Sequence, residues 1–223
     1  MRHHPLRTLL FLVVALPLHA AAQRVTATHL GNSAFRIGLG GWTLFIDFPY
    51  RPDCPGCDRY TPPPDLGEVD GTALITRAGP EHFDSVRFRA TRLDLLAPFV
   101  PAGEQAAALS RLEAQGIYAY PQAAADGDKA GASYIVSYRG RRLCFTGDAQ
   151  DPAPLLAARD LAAAFVSEAL LRTVHAQGKR IDTRVLVVTR REATPADSLD
   201  LPTPCDACRL VVPHQGEVIE LFR

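Results

Sequence analysis

The chain of 223 residues has no surplus of charge of either sign: 24 Lys and Arg stand against 24 Asp and Glu. Proteins that track phosphate backbones carry a basic excess, so nucleic acid is not an expected partner. With 47% hydrophobic and 22% charged residues, disordered, collagen-like and coiled-coil chains are excluded. No repeat of fixed short period and no low-complexity segment is present. Three familiar signatures are also absent: the G-x-S-x-G elbow, the G-x-x-x-x-G-K-S/T phosphate loop and the G-x-G-x-x-G dinucleotide fingerprint. Ser167 and Ser198 have no acid–base partner in any motif, so a Ser-His-Asp triad is not expected. The apolar run from Leu9 to Leu18 is too short to span a bilayer as a mature helix.

That run has another use. Arg2, His3, His4 and Arg7 precede it, and His19-Ala20-Ala21-Ala22 follow it. A basic start, a short apolar stretch and small residues before a cleavage point form a secretory signal. Residues 1–22 are therefore expected to be removed, leaving one domain over 23–223 that is periplasmic or secreted. No stable membrane anchor would remain. Cleavage would also leave only His29, His82, His175 and His214, a small stock for any metal site.

Five cysteines are present, and four form two C-x-x-C pairs, Cys54/Cys57 and Cys205/Cys208. In a cytosolic protein such pairs suggest tetrahedral zinc. In an oxidising compartment disulfides, within or across the pairs, are the stronger expectation. Cys144 lies among apolar residues and reads as a small buried hydrophobe.

Alternating apolar residues and turn signals place strands over 25–30, 34–39 and 42–47, with Gly40-Gly41 making a hairpin turn. A short strand is expected over 71–76 and another within 93–100. A helix over 104–115 is stopped by Gly116. Strands follow at 117–120, 133–138 and 142–145, with 121–132 read as loop. A helix over 154–163, a strand over 164–166 and a helix over 168–177 come next. Strands over 184–189, 210–212 and 217–222 complete the chain. A hairpin leading into a strand that ends on an acid, then a Pro-rich loop, occurs near residue 47 and again near residue 148. Alternating strands and helices indicate a layered α/β architecture.

Three segments in this order resemble the metallo-β-lactamase-fold superfamily. The first runs from His29 through Ile37 to Leu44-Phe45-Ile46-Asp47, similar to the opening hairpin and Asp-terminated strand. The second is Thr76-Arg77-Ala78-Gly79-Pro80-Glu81-His82, standing where that family carries its T-H-x-H-x-D-H metal loop. The third, Phe145-Thr146-Gly147-Asp148, is similar to the strand whose terminal Asp bridges two metals. The resemblance implies an αββα sandwich, an α/β fold of two mixed sheets facing each other with helices outside. It also implies two divalent metals that activate a shared water for attack on an ester, amide, lactone or phosphodiester.

Carried over position by position, the first metal has lost its ligands. Arg77 and Gly79 replace two His, and no His lies between His82 and His175. The second metal keeps Glu81, in place of Asp, with His82 and Asp148. His214 is a fourth candidate, although Arg190 and Arg191 follow the strand expected to deliver that ligand. One zinc or none is therefore expected. Asp47 would support the metal loop from behind, or would simply close a turn. Arg77 could ion-pair with Asp148, Arg190 or Arg191 could neutralise Glu81, and such a pocket would suit a small anionic ligand. Two readings follow: an exported, catalytically impaired binding or structural module with a degraded dinuclear site, or a mononuclear hydrolase. His29 and His175 are expected in packing or on the surface.

Overall fold

A computed structural model of the chain describes residues 24–48, 62–126, 129–189 and 201–223. The expected signal segment, Cys54, Cys57, Arg190 and Arg191 lie outside these residues.

The first sheet is built from β1 (Val25–Gly31), β2 (Ala34–Leu39), β3 (Trp42–Ile46), β4 (Gly71–Leu74) and β5 (Asp94–Leu96). Short α1 (Ser85–Phe88) lies between β4 and β5, and α2 (Ala102–Ala114) follows β5. The second sheet takes β6 (Ile117–Asp126), β7 (Lys129–Tyr138) and β8 (Arg141–Phe145), then β9 (Leu161–Val166) after α3 (Ala153–Ala157). After α4 (Glu168–Ala176), β10 (Val185–Val188) and β11 (Arg209–Val211) extend that sheet. The last strand, β12 (Val218–Phe222), returns to the first sheet. Strand orders are β12-β1-β2-β3-β4-β5 and β11-β10-β9-β8-β7-β6. Each sheet joins an antiparallel hairpin run to parallel strands: β1–β2–β3 then β4 and β5, and β6–β7–β8 then β9 and β10. The echo between residues 47 and 148 is thus real: each hairpin run ends on its acid where the parallel strands begin.

The sheets face each other across one core. Phe35, Ile37 and Leu44 of the first sheet meet Tyr134, Val136, Leu143, Phe145 and Phe165 of the second. The rings of Phe35 and Phe165 sit edge to face, 4.9 Å apart. Behind the second sheet, α4 buries Leu170, Leu171 and Val174 against Ala164 and Leu186. Behind the first, Phe45, Phe48 and Ile75 lie under Phe83 and Phe88. This is the expected sandwich of two mixed sheets, with few helices outside.

Two expected boundaries fail. Residues 161–163 are strand, not helix: α3 ends at Ala157, Asp160 turns the chain at φ 49°, and all six residues of β9 are buried. A central strand with neighbours on both edges draws in an Ala-rich stretch despite its helical propensity. Of residues 121–132, read as loop, 121–126 and 129–132 form the outer arms of the β6–β7 hairpin, paired from Pro121↔Tyr134 to Asp126↔Lys129. Pro121 misled the reading; β6 is the edge strand of its sheet, where a missing N–H is tolerated.

Candidate functional site

Three chain segments converge at the C-terminal ends of β3, β4 and β8. Asp47 follows β3 with φ 51° and is 1% exposed. Its Oδ1 accepts from the Thr76 backbone N–H at 2.8 Å, and the Thr76 hydroxyl donates to the same carboxylate. Thr76 is therefore the hinge on which the following loop hangs. On its other side, the Thr76 carbonyl accepts from Ala132 N–H at 2.8 Å, so the loop is stitched to the second sheet as well. The loop then turns back on itself: His82 and Phe83 N–H both donate to the Gly79 carbonyl. Asn32, in the β1–β2 turn, holds Glu81 through its carbonyl at 3.1 Å. Asp84 caps α1, accepting from Val86 and Arg87 N–H.

Gly147 explains how Asp148 reaches the same point. It has φ 56°, and a Cβ there would lie 2.5 Å from Thr76 Cβ. Only glycine allows the Gly-Asp turn to approach Thr76 this closely.

His82 is fully buried between two carboxylates. Nδ1 lies 2.8 Å from Asp47 Oδ2 and Nε2 lies 3.0 Å from Asp148 Oδ2. Ionised carboxylates only accept hydrogen bonds, so both ring nitrogens must donate and the imidazole is charged. Burial pulls the His82 pKa down, but Asp47 and Asp148 outweigh it and push it up to about 10. Arg77 supplies the second cation. Its Nη2 bonds Glu81 Oε1, sits 2.9 Å from Asp148 Oδ2 and lies 3.5 Å from His82 Nε2. Burial raises the Glu81 pKa; its own backbone N–H, His82 and Arg77 together reverse this and leave it below the usual carboxylate value. Among the described residues, the carboxylates of Asp47, Glu81 and Asp148 thus face the cations Arg77 and His82.

Glu81, His82 and Asp148 each offer a ligand atom within 4.8 Å of the others, a donor set suited in type to a divalent ion. The place they enclose is taken: one nitrogen of Arg77 touches Glu81 and Asp148 and approaches His82 Nε2. With Arg77 there, a guanidinium and not an ion occupies the space among the donors, and a metal would have to displace it and take the Nε2 proton of His82. His214 does not join the set. It is exposed on the turn before β12, its N–H bonded to Glu217, and that turn is fastened to β1 through Gly216 N–H and His29 carbonyl. Asp47 holds Thr76 and His82 from behind the loop. Thr76 was legible only as the first residue of the loop that the resemblance marks.

Elsewhere, Cys205 and Cys208 are joined as a disulfide within their own pair. Cys144 is buried, and its thiol is pushed up to about 12 by that burial. His29 is buried against Phe35, and His175 is exposed on α4.

No family model and no curated protein matches the chain. Solved structures do. A "possible metal-dependent hydrolase" of Veillonella parvula aligns over 89% of this chain and 100% of its own, with TM-score 0.60 and 13% identity. A metallo hydrolase of the hyperthermophilic archaeon Ignicoccus hospitalis aligns over 88% and 98%, with TM-score 0.59 and 16% identity. The metallo-β-lactamase fold protein YhfI of Bacillus subtilis aligns over 89% and 100%, with TM-score 0.55 and 9% identity. The chain has the metallo-β-lactamase fold.

Proposed function

We propose that this protein is an exported metallo-β-lactamase-fold module in which the Arg77 guanidinium takes the place of a metal ion, leaving a binding or structural role in place of hydrolysis. The observation that carries the reading is the position of Arg77 Nη2 among Glu81, Asp148 and His82 Nε2. A guanidinium supplies the positive charge that the acids need, but it cannot polarise a bound water as a metal does. With Arg77 and His82 both held by carboxylates, the described residues offer no activated nucleophile at the centre. Export is supported by the composition of residues 1–22 and by the Cys205–Cys208 disulfide, which an oxidising compartment would preserve.

The alternative, a mononuclear hydrolase, is favoured by one observation, the Glu81–His82–Asp148 donor set. Elemental mass spectrometry separates the two. Protein exported to a periplasm and purified without chelator or affinity metal is compared with Glu81→Ala/His82→Ala, which subtracts any cysteine-bound zinc. The proposal expects equal metal in both. A stoichiometric metal lost in the double variant would overturn it and restore the hydrolase.

A further inference from the structure

The outer face of the second sheet carries a groove that the Arg77 centre does not use. Ala119, Val136 and Leu143 point into the inter-sheet core. Alternation therefore turns Tyr120, Ile135, Ser137 and Arg142 to the opposite face. Helix α4 covers that face over β9 and β10, and α3 ends at Ala157. Over β6 and β7 the face stays open, and Tyr120 is 55% exposed. A groove of about 510 Å³ lies there, between the strands and Pro154 and Ala157 of α3. That volume is within the ordinary range for a small-molecule site.

The two ends of the groove differ in chemistry. At one end Arg142 is half-buried and has no carboxylate partner among the described residues; one of its nitrogens donates to the Arg159 carbonyl. Ser137 lies opposite Arg142 in the ladder. At the other end Gln122 Oε1 is buried and makes no hydrogen bond among the described residues. A buried acceptor left unmatched is costly. Register fixes their separation. Arg142 pairs with Ser137 and Ser137 with Tyr118, so Gln122 stands four residues further along β6. At about 3.3 Å per residue along the strand and about 4.8 Å for each of the two strand steps from β8 to β6, the two ends are roughly 16 Å apart at the backbone, and the reach of the side chains shortens this to on the order of 10 Å. Tyr120 and Ile135 pave the space between.

We propose that this groove binds an elongated, flat carboxylate. Its anion pairs with Arg142, its apolar body lies on Tyr120 and Ile135, and a hydroxyl at its far end donates to Gln122 Oε1. The class is a hydroxylated aryl or conjugated carboxylic acid.

The test is calorimetric titration of the full exported chain with 4-hydroxycinnamate and with cinnamate, which lacks the far hydroxyl. The expected result is saturable one-to-one binding, tighter for the hydroxylated acid. Arg142→Gln should weaken it by at least about tenfold, the loss of one charge-assisted contact, and Arg142→Lys by less. Gln122→Leu should erase the preference between the two acids. Where Arg142→Gln fails to fold, Gln122→Leu decides, since it leaves the cation in place. No saturable binding of either acid, affinity unchanged in a folded Arg142→Gln, or a preference that survives Gln122→Leu would overturn the proposal.

Discussion

Replacing Arg77 with Ala removes the cation shared by Glu81 and Asp148. The magnitude follows from burial. Breaking a fully buried pair costs about 3–5 kcal/mol, and breaking an exposed one less than about 1. The side chains of Glu81 and Asp148 are 21% and 15% exposed, and that of Arg77 is 13% exposed. Some water reaches the acids once the guanidinium has gone, so a loss of about 2–3 kcal/mol is expected in chelator. For a chain of this size that lowers Tm by roughly 5–10 °C. The same variant exposes the Glu81, His82 and Asp148 donors to a cation. Zinc at about a hundred times its Kd would return about 2.7 kcal/mol, close to the whole loss. Wild-type protein should gain nothing, because its own guanidinium holds the place. Thermal unfolding in chelator and in excess zinc measures both effects, with Arg77→Ala/His82→Ala correcting for zinc on cysteines. A variant as stable as wild type in chelator, or a wild type stabilised by zinc as much as the variant, would refute the reasoning.

Three further outcomes are expected. The His82 pKa is raised from 6.5 to about 10, so its stabilisation is complete below pH 6.5 and lost as pH climbs through 10; at about 1.4 kcal/mol per unit this is on the order of 5 kcal/mol. Urea unfolding across that range should show the decline in wild type and a much flatter profile in His82→Gln. Thr76→Val removes the hydroxyl that donates to both oxygens of buried Asp47, and should cost about 1.5–3 kcal/mol, with Thr76→Ser recovering most of it in the same assay. Gly147→Ala must tolerate a positive φ and a Cβ 2.5 Å from Thr76, so a loss of at least about 2 kcal/mol is expected, read as a fall in Tm.

Much of the framework was legible in the residues. The alternation around Gly40-Gly41 marked the first hairpin, strands at 133–138 and 142–145 marked the second, and the acids at 47 and 148 marked where each ends. Arg77 at a ligand position pointed to an ion pair with Asp148, and the structure shows that pair. What was hidden is three-dimensional. The Ala-rich stretch 161–163 has the local composition of a helix and becomes strand because it fills the middle of a sheet. His82 looked like a ligand; only the packing of β3 against β8 across the sandwich reveals it gripped from both sides. The groove at Arg142 depends on where α3 stops, which no local motif records. His214 shared a residue type with the ligands but not their edge of the fold.

The central claim is that the centre is held by a protonated His82 and by Arg77, with no metal ion. Nitrogen-15 NMR of the His82 ring in the exported protein, near neutral pH, tests it most directly. Both ring nitrogens should show protonated shifts that persist until the pH nears 10. A deprotonated Nε2, shifted as for metal coordination and released by chelator, would contradict the account.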